Sequence, residues 1–315
     1  MSQGKGVRPF FPPQVIVQVK ALACELPWES GIPLSRFSNG EIANEAVKRG
    51  IVASISGATV WRWLDEDAIK PWQHRSWIFP RCPEFGERAG RVLDLYHGIW
   101  EGRHLSSHEY IISADEKTSI QARIRKHATQ PSASGKPMRV EHEYERGGAL
   151  NYLVAWDVQR AKVFGRCEFK TGIVSFGRLV DQVMGQEPYY SARRVFWIVD
   201  NGSSHRGQSS VERLQKRWPN IVVVHLPVHA SWLNQVEIYL SIVQRKVLTP
   251  NDFLDLDEVK FRLLQFQERY EKIAKPFEWK FTRSDLSSLL AKISQKTEQL
   301  PIASVSELEP MTSAV

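Results

Sequence analysis

Two short apolar runs, each closing on an aspartate, constrain this chain more than any other feature. Tyr110-Ile111-Ile112-Ser113-Ala114 ends in Asp115, and Val195-Phe196-Trp197-Ile198-Val199 ends in Asp200. Runs of this length, rich in β-branched and aromatic residues, read as buried strands. In an open α/β sheet, ligands gather outside the carboxyl ends of such strands. If the two strands are neighbours, their acids converge. One acid at a strand exit is unremarkable, because it commonly caps a turn. Two, followed by Glu237 in the first turn of a later helix, make a more specific pattern, although a lone glutamate there would only complement the helix dipole.

The surrounding pattern supplies the sheet. Residues 150–157 and 162–169 read as strands separated by a turn near Gln159-Arg160, and 221–225 as a last strand. Helices are expected over 172–184, 208–217, 235–246 and 256–272. Three strands, helix, strand, helix, strand, helix is the order of a mixed sheet with helices packed on it. The polar tail after about 295 reads as disordered.

Ahead of the sheet the chain is helical. Val15, Val19, Leu22 and Leu26 predict a helix over 14–26. Ser38-Asn39-Gly40-Glu41 is a capping box, opening a helix that buries Ile42, Ala43, Ala46 and Val47 and ends at Gly50. Ser56 caps a second helix over 57–67, with Val60 and Leu64 inward. This is the outline of a helix-turn-helix, whose second helix would present Ala58, Thr59 and Arg62 to a DNA major groove. An ordinary helical hairpin has the same outline. Pro71, Pro80 and Pro83 mark a linker over 70–84, with Trp72, His74, Arg75, Trp77 and Arg81 in it. Val92, Leu95, Tyr96 and Ile99 predict a connecting helix over 85–101.

The chemistry implied by three acids is metal-assisted. Hard divalent ions take oxygen ligands, and two of them clamp an in-line displacement at phosphorus. No Ser/His/Asp or Cys/His set stands out as a rival. The formal net charge of +7, from 42 basic and 35 acidic residues, suits a polyanionic partner. Six of the basic residues (Lys117, Arg123, Arg125, Lys126, Lys136 and Arg139) fall within 117–140 with no acid among them, and would position DNA phosphates or form a solvated loop. The 3 cysteines lie far apart, which argues against a disulfide framework or a zinc set. With no signal peptide and no apolar span, a cytoplasmic, nucleoid-associated protein is expected.

These residues resemble a known family. Asp115-Glu116-Lys117-Thr118, Val199-Asp200-Asn201-Gly202-Ser203-Ser204-His205 and His229 through Glu237 are similar to the three signature blocks of the DDE transposases. More closely they resemble the bacterial insertion-sequence branch of the mariner-like superfamily. The resemblance runs from about 38 to 290. It implies a ribonuclease-H-like catalytic domain over 106–292, behind a helix-turn-helix region over 1–69 and a linker with connecting helix over 70–105; a flexible tail occupies 293–315. It implies Asp115, Asp200 and Glu237 as catalytic acids and ligands of two Mg²⁺ (or Mn²⁺) ions. Thr59, Arg62, Lys117, Arg123, Arg125 and Lys126 are the DNA-binding candidates, with Asn201, His205 and Asn234 as supports. Strand alternation sends Glu116 to the other face of the sheet from Asp115. The implied partners are double-stranded DNA, as terminal repeats and target, and a second copy of the chain as a homodimer on DNA. The implied reaction is cleavage at the element ends and insertion at a TA dinucleotide. Related transposases often carry a further helix-turn-helix, whereas only residues 1–37 precede the one here, an arrangement expected to weaken end recognition. A catalytically inactive relic that binds DNA, and a nuclease that cuts without joining, share most of these features.

Overall fold

The computed structural model describes residues 11–73, 82–202, 205 and 207–299. The chain divides into two compact units, Met1–Ile78 and Phe79–Val315. In the first, helices α1 (Pro13–Ala23), α2 (Asn39–Lys48) and α3 (Gly57–Glu66) close around Val19, Leu22, Phe37, Ile42, Ala46, Val60 and Leu64. The capping box of α2 is complete: the Ser38 hydroxyl accepts from the Glu41 amide at 3.3 Å, and the Glu41 carboxylate accepts from the Ser38 amide at 2.6 Å. Gly50, at φ +70°, ends that helix in the left-handed region that glycine tolerates. Two expectations are corrected here. α1 stops at Ala23, and Leu26, read as its last inward residue, is 59% exposed because a 3₁₀ turn starts at Pro27. Val47 is 41% exposed, since Ile42, Ala43 and Ala46 already fill the buried stripe. Of the linker, residues 74–81, with His74, Arg75, Trp77 and Arg81, lie outside the described residues.

The second unit opens with α4 (Phe85–Tyr96), shorter than expected. Gly98 turns the chain at φ +70°, and Ile99, read as helical, sits instead in a small hairpin of β1 (Ile99–Trp100) and β2 (Arg103–His104). β3 (Glu109–Ile124), β4 (Glu145–Asp157), β5 (Val163–Glu168), β6 (Arg194–Val199) and β7 (Ile221–His225) form one sheet among the described residues. Its order is β5-β4-β3-β6-β7; β5, β4 and β3 pair antiparallel, and β3, β6 and β7 pair parallel. This is the mixed sheet that the order of elements predicts.

Helices cover both faces. α5 (Ile173–Met184) and α6 (Gln208–Arg217) lie on one, where Ile112, Ala114, Val195, Trp197 and Val199 meet Phe176, Leu179, Val183 and Leu214. α4, α7 (Val236–Lys246) and α8 (Leu256–Glu271) lie on the other, packed on Ile111, Val154, Trp156, Phe196 and Ile198. α4, read as a connector, is thus part of this core. A further helix, α9 (Arg283–Gln299), was not expected. It packs on α4, where Arg283 meets Asp94 at 3.0 Å through Nε. The expected boundary at 292–293 falls inside it, and the tail over 300–315 lies outside the described residues. No helix among the described residues is long and apolar enough to cross a membrane.

Candidate active site

β3 and β6 set the site. Ser113 pairs with Ile198 in parallel register, so Asp115 and Asp200 each stand two residues further on, at the same level of neighbouring strands. Adjacent strands are about 4.8 Å apart, so the two carboxylates emerge side by side. β6 ends at Val199 while β3 continues to Ile124, so Asp115 lies within a strand and Asp200 in the loop that leaves one.

The third acid is tied to the first through a buried polar latch. A 3₁₀ turn at Ser231–Leu233 brings Asn234 beneath the sheet, 1% exposed. Its Nδ2 donates to the Ala114 carbonyl and to Asp115 Oδ2, both at 3.0 Å. The Ser113 hydroxyl donates to Asn234 Oδ1 at 2.5 Å and accepts from the Val236 amide at 2.9 Å, at the first residue of α7. The Tyr96 hydroxyl donates to the Leu233 carbonyl at 2.7 Å and accepts from the Gln235 amide at 3.2 Å. Each hydroxyl therefore has a donor and an acceptor partner, as buried polar groups require. The next residue along α7 is Glu237, exposed in its first turn. Ser113 and Tyr96 were not among the sequence candidates. Ser113 had a signal, as the one small polar residue inside an otherwise apolar run; Tyr96 had none.

Asp200 is held from the other side. His205, 2% exposed, bonds Asp200 Oδ1 through Nε2, and the Gly202 amide donates to the same oxygen at 2.9 Å. The His205 ring packs against Phe176 at 4.8 Å, and its carbonyl accepts from His225 Nε2 at 2.7 Å. Asn201 Nδ2 donates to the Leu226 carbonyl at 2.8 Å, pinning the loop to the end of β7. His205 and Asn201 both hold the Asp200 loop. Ser203 and Ser204 of that block lie outside the described residues.

Electrostatics set the two aspartates apart. Burial pushes Asp115 up to about 7, and Glu237 and Asp200 push in the same direction, against the Glu116 amide. The His205 bond holds Asp200 below its ordinary value. Burial also raises Glu116, which feels both His205 and Asp200. Although excluded as a partner of Asp115 on strand alternation, it is close enough to take part in the local field. Neither Asp115 nor Glu237 has an ion-pair partner among the described residues. A half-buried carboxylate that feels two others without a protein cation suits a hard divalent ion, in both donor chemistry and charge. Among the described residues no group of three or more His, Cys, Asp or Glu side chains is gathered closely enough to hold a metal ion as the side chains stand. Asp200 Oδ1 is turned to His205.

The basic candidates separate. Lys117, two residues beyond Asp115, is half-buried, and Lys126 is exposed. Arg123 lies over the Tyr144 ring at 4.7 Å. Arg125 does not belong with them: its side chain is 7% exposed, bonded to the Glu141 carbonyl at 2.8 Å and to the Asn251 carbonyl, and 3.7 Å from Asp252. The expectation that it contacts DNA is corrected; it is a strut between β3 and the 250–252 loop. In the first unit, Thr59 bonds the Ser56 hydroxyl at 3.0 Å, and Arg62 reaches Thr59 at 3.1 Å from the exposed side of α3. Trp232, 37% exposed, packs edge-on against Phe281 at 5.8 Å.

Residues 110–260 match the family described as "DDE superfamily endonuclease". The span contains all three acids together with Ser113 and Asn234, and the mixed sheet with its flanking helices has a ribonuclease-H-like fold. The chain resembles the structure of the "Mos1 mariner paired end complex with Mn" at 15% identity and a TM-score of 0.51, over 95% of this chain and 81% of that one. A second structure, the "mariner Mos1 paired end complex with Mg", aligns at 14% identity and a TM-score of 0.49, over 94% of this chain and 82% of that one. No curated protein sequence matches the chain.

Proposed function

We propose that this protein is a transposase that cuts DNA at the ends of a mobile element and joins the freed 3′ end to target DNA. The observation that carries the reading is the placement of Asp115 and Asp200 at one register level of adjacent parallel strands, with Glu237 latched to them through Asn234 and Ser113. Asp115, Asp200 and Glu237 would hold Mg²⁺ or Mn²⁺, two ions in the full site. When bound there, the ions supply charge neutralisation at the phosphoryl group and activation of the attacking oxygen. The chain's own part is positioning. Asn234 fixes the plane of the Asp115 carboxylate, and His205 fixes that of Asp200.

Binding to the element's terminal repeats is assigned to the helix-turn-helix of α2 and α3, with Thr59 and Arg62 on the exposed side of the recognition helix. Lys117, Arg123 and Lys126 are assigned to phosphates, which position DNA without reading it. A homodimer on DNA that brings two ends together, a TA target and a site of action on the nucleoid DNA of the cytoplasm belong to the same reading, by likeness to the mariner group. Its test is cleavage and strand transfer on labelled DNA carrying the element's own ends, with Mg²⁺ or Mn²⁺, for wild type and Asp200→Asn. Cutting and joining that the variant lacks supports the reading. Binding without cutting points to an inactive relic, and cutting without joining to a nuclease.

A further inference from the structure

Beyond the acids, β3 and α7 continue together and form the walls of a groove. Lys117 is two residues past Asp115, about 7 Å along the strand. Gln244 is two helical turns past Glu237, about 10 Å along α7. Between them, the segment returning through Tyr144 and the loop at Asn251 enclose a cavity of about 930 Å³. That volume suits one or two flexible units of a chain and is far too small for a duplex.

Its lining is cationic and aromatic. Lys117, Arg123 and Arg146 all face it, and none has an ion-pair partner among the described residues. The acid in the lining, Glu141, is taken up by His127 through both the ring at 2.8 Å and the amide at 2.9 Å. Arg123 Nε is buried without a hydrogen-bond partner, a state that proteins rarely leave unfilled. The guanidinium stacks on Tyr144, a residue 38% exposed. A charged groove with an exposed aromatic platform is the chemistry that holds unpaired nucleic acid, with phosphates on the cations and bases on the ring.

We propose that this groove binds one or two unpaired nucleotides of the DNA strand immediately beside the phosphate held at the acids. Tyr144 and Arg123 form the stacking platform, and Lys117 and Arg146 hold the backbone. The assignment rests on the reading of Asp115, Asp200 and Glu237 as a phosphodiester site. It goes beyond that reading in naming a separate single-strand subsite.

The test uses the full chain and a duplex of mixed sequence with a short single-stranded overhang, carrying 2-aminopurine at successive overhang positions, with a blunt duplex as control. Without added metal, the fluorescence should be quenched at one or two overhang positions. Tyr144→Ala should abolish this quenching and weaken overhang binding about tenfold, whereas Tyr144→Phe should retain both. The pair Lys117→Gln and Arg146→Gln should weaken binding and leave the residual quenching at the same position, providing a second route should Tyr144→Ala fold poorly. Equal affinity for blunt and overhang DNA, or quenching indifferent to Tyr144, overturns the subsite. So does loss of self-association in Tyr144→Ala without any change in quenching, which would assign the groove to a second copy of the chain. Metal-dependent cleavage by the same preparation keeps the two readings apart. Cleavage without Tyr144-dependent quenching sinks the subsite alone, and quenching without cleavage under any metal sinks the catalytic reading alone.

Discussion

Asp115 and Asp200 occupy equivalent positions on neighbouring parallel strands, each two residues past the Ser113–Ile198 pair, and only one of them has a buried histidine on its carboxylate. Burial makes Asp115 the harder acid to ionise, and the His205 bond makes Asp200 the easier. Replacing either by asparagine, or Glu237 by glutamine, keeps the shape and removes a charge. Each change is expected to reduce metal-dependent cleavage to background while binding to end DNA, measured by mobility shift, stays within about twofold. A variant that cuts at near-normal rate removes its residue from the site.

The Asn234 latch predicts a different signature. Ser113→Ala leaves Asn234 Oδ1 and the Val236 amide without their partner, at an expected cost of about 1–3 kcal/mol in urea unfolding. Asn234→Ala loses the hydrogen bond to Asp115 Oδ2 and should lower cleavage by roughly 10–100-fold, the usual effect of removing a group that orients a metal ligand. Asn234→Asp tests orientation against charge, since it retains the acceptor for Ser113 but faces Asp115 with another acid. Recovery of activity in Asn234→Asp would argue that Asn234 only fills space.

His205 should behave as the counterpart on the second strand. It is buried beside Phe176 and carries the Asp200 bond, so His205→Ala opens space and frees the carboxylate together. The expected result is a roughly 10–100-fold rise in the Mg²⁺ concentration needed for half-maximal cleavage. Saturating metal should restore much of the rate. Failure of any metal concentration to restore it, with normal folding, would assign His205 a role other than holding Asp200.

The sheet order and the two strand-end acids were legible because β6 and the first half of β3 are buried on both faces and so read as unbroken apolar runs. The second half of β3 was not legible. Register shifts between Lys117 and Ile120 and between Gln121 and Arg123 break the alternation, so a strand looked like a basic loop. Arg125 was misread for the same reason, since burial of a guanidinium against the Asn251 and Glu141 carbonyls leaves no trace in composition. α9 was missed because it packs mostly through Leu286 and an ion pair to Asp94, which gives its sequence a weak apolar stripe.

Glu109, at the start of β3, offers a pH-dependent test away from the acids. It is 3% exposed; burial alone would raise it, but the Ser106 amide and the Arg194 guanidinium at 2.5 Å hold it below its ordinary value of 4.5. A carboxylate depressed on folding stabilises the fold above its unfolded value and loses that contribution as pH falls through the folded one. Wild type should therefore be more stable than Glu109→Gln at about pH 7, by about 1 kcal/mol, with the difference shrinking as pH falls below 4.5. A difference independent of pH, measured by urea unfolding at both values, would mean that Glu109 contributes through packing alone.

Arg125 and Lys126 are adjacent in sequence and opposite in role, so they make a paired test of the strut against the phosphate contact. Arg125 is almost fully enclosed, with its guanidinium spent on three carbonyls near Asp252, whereas Lys126 is exposed at the next position. Arg125→Met removes a buried charge whose partners then lack donors, and should lower stability by roughly 1–3 kcal/mol. Its effect on the salt dependence of DNA binding should be small once folding is accounted for. Lys126→Gln should do the reverse: stability within about 0.5 kcal/mol of wild type, and a plot of log affinity against log salt shallower by about one. If Arg125→Met flattens the salt slope while the fold stays intact, the guanidinium must leave its strut position when DNA binds, and the phosphate role returns to it. If Lys126→Gln leaves the slope unchanged, the exposed lysine is a solvated charge and its assignment as a phosphate contact falls.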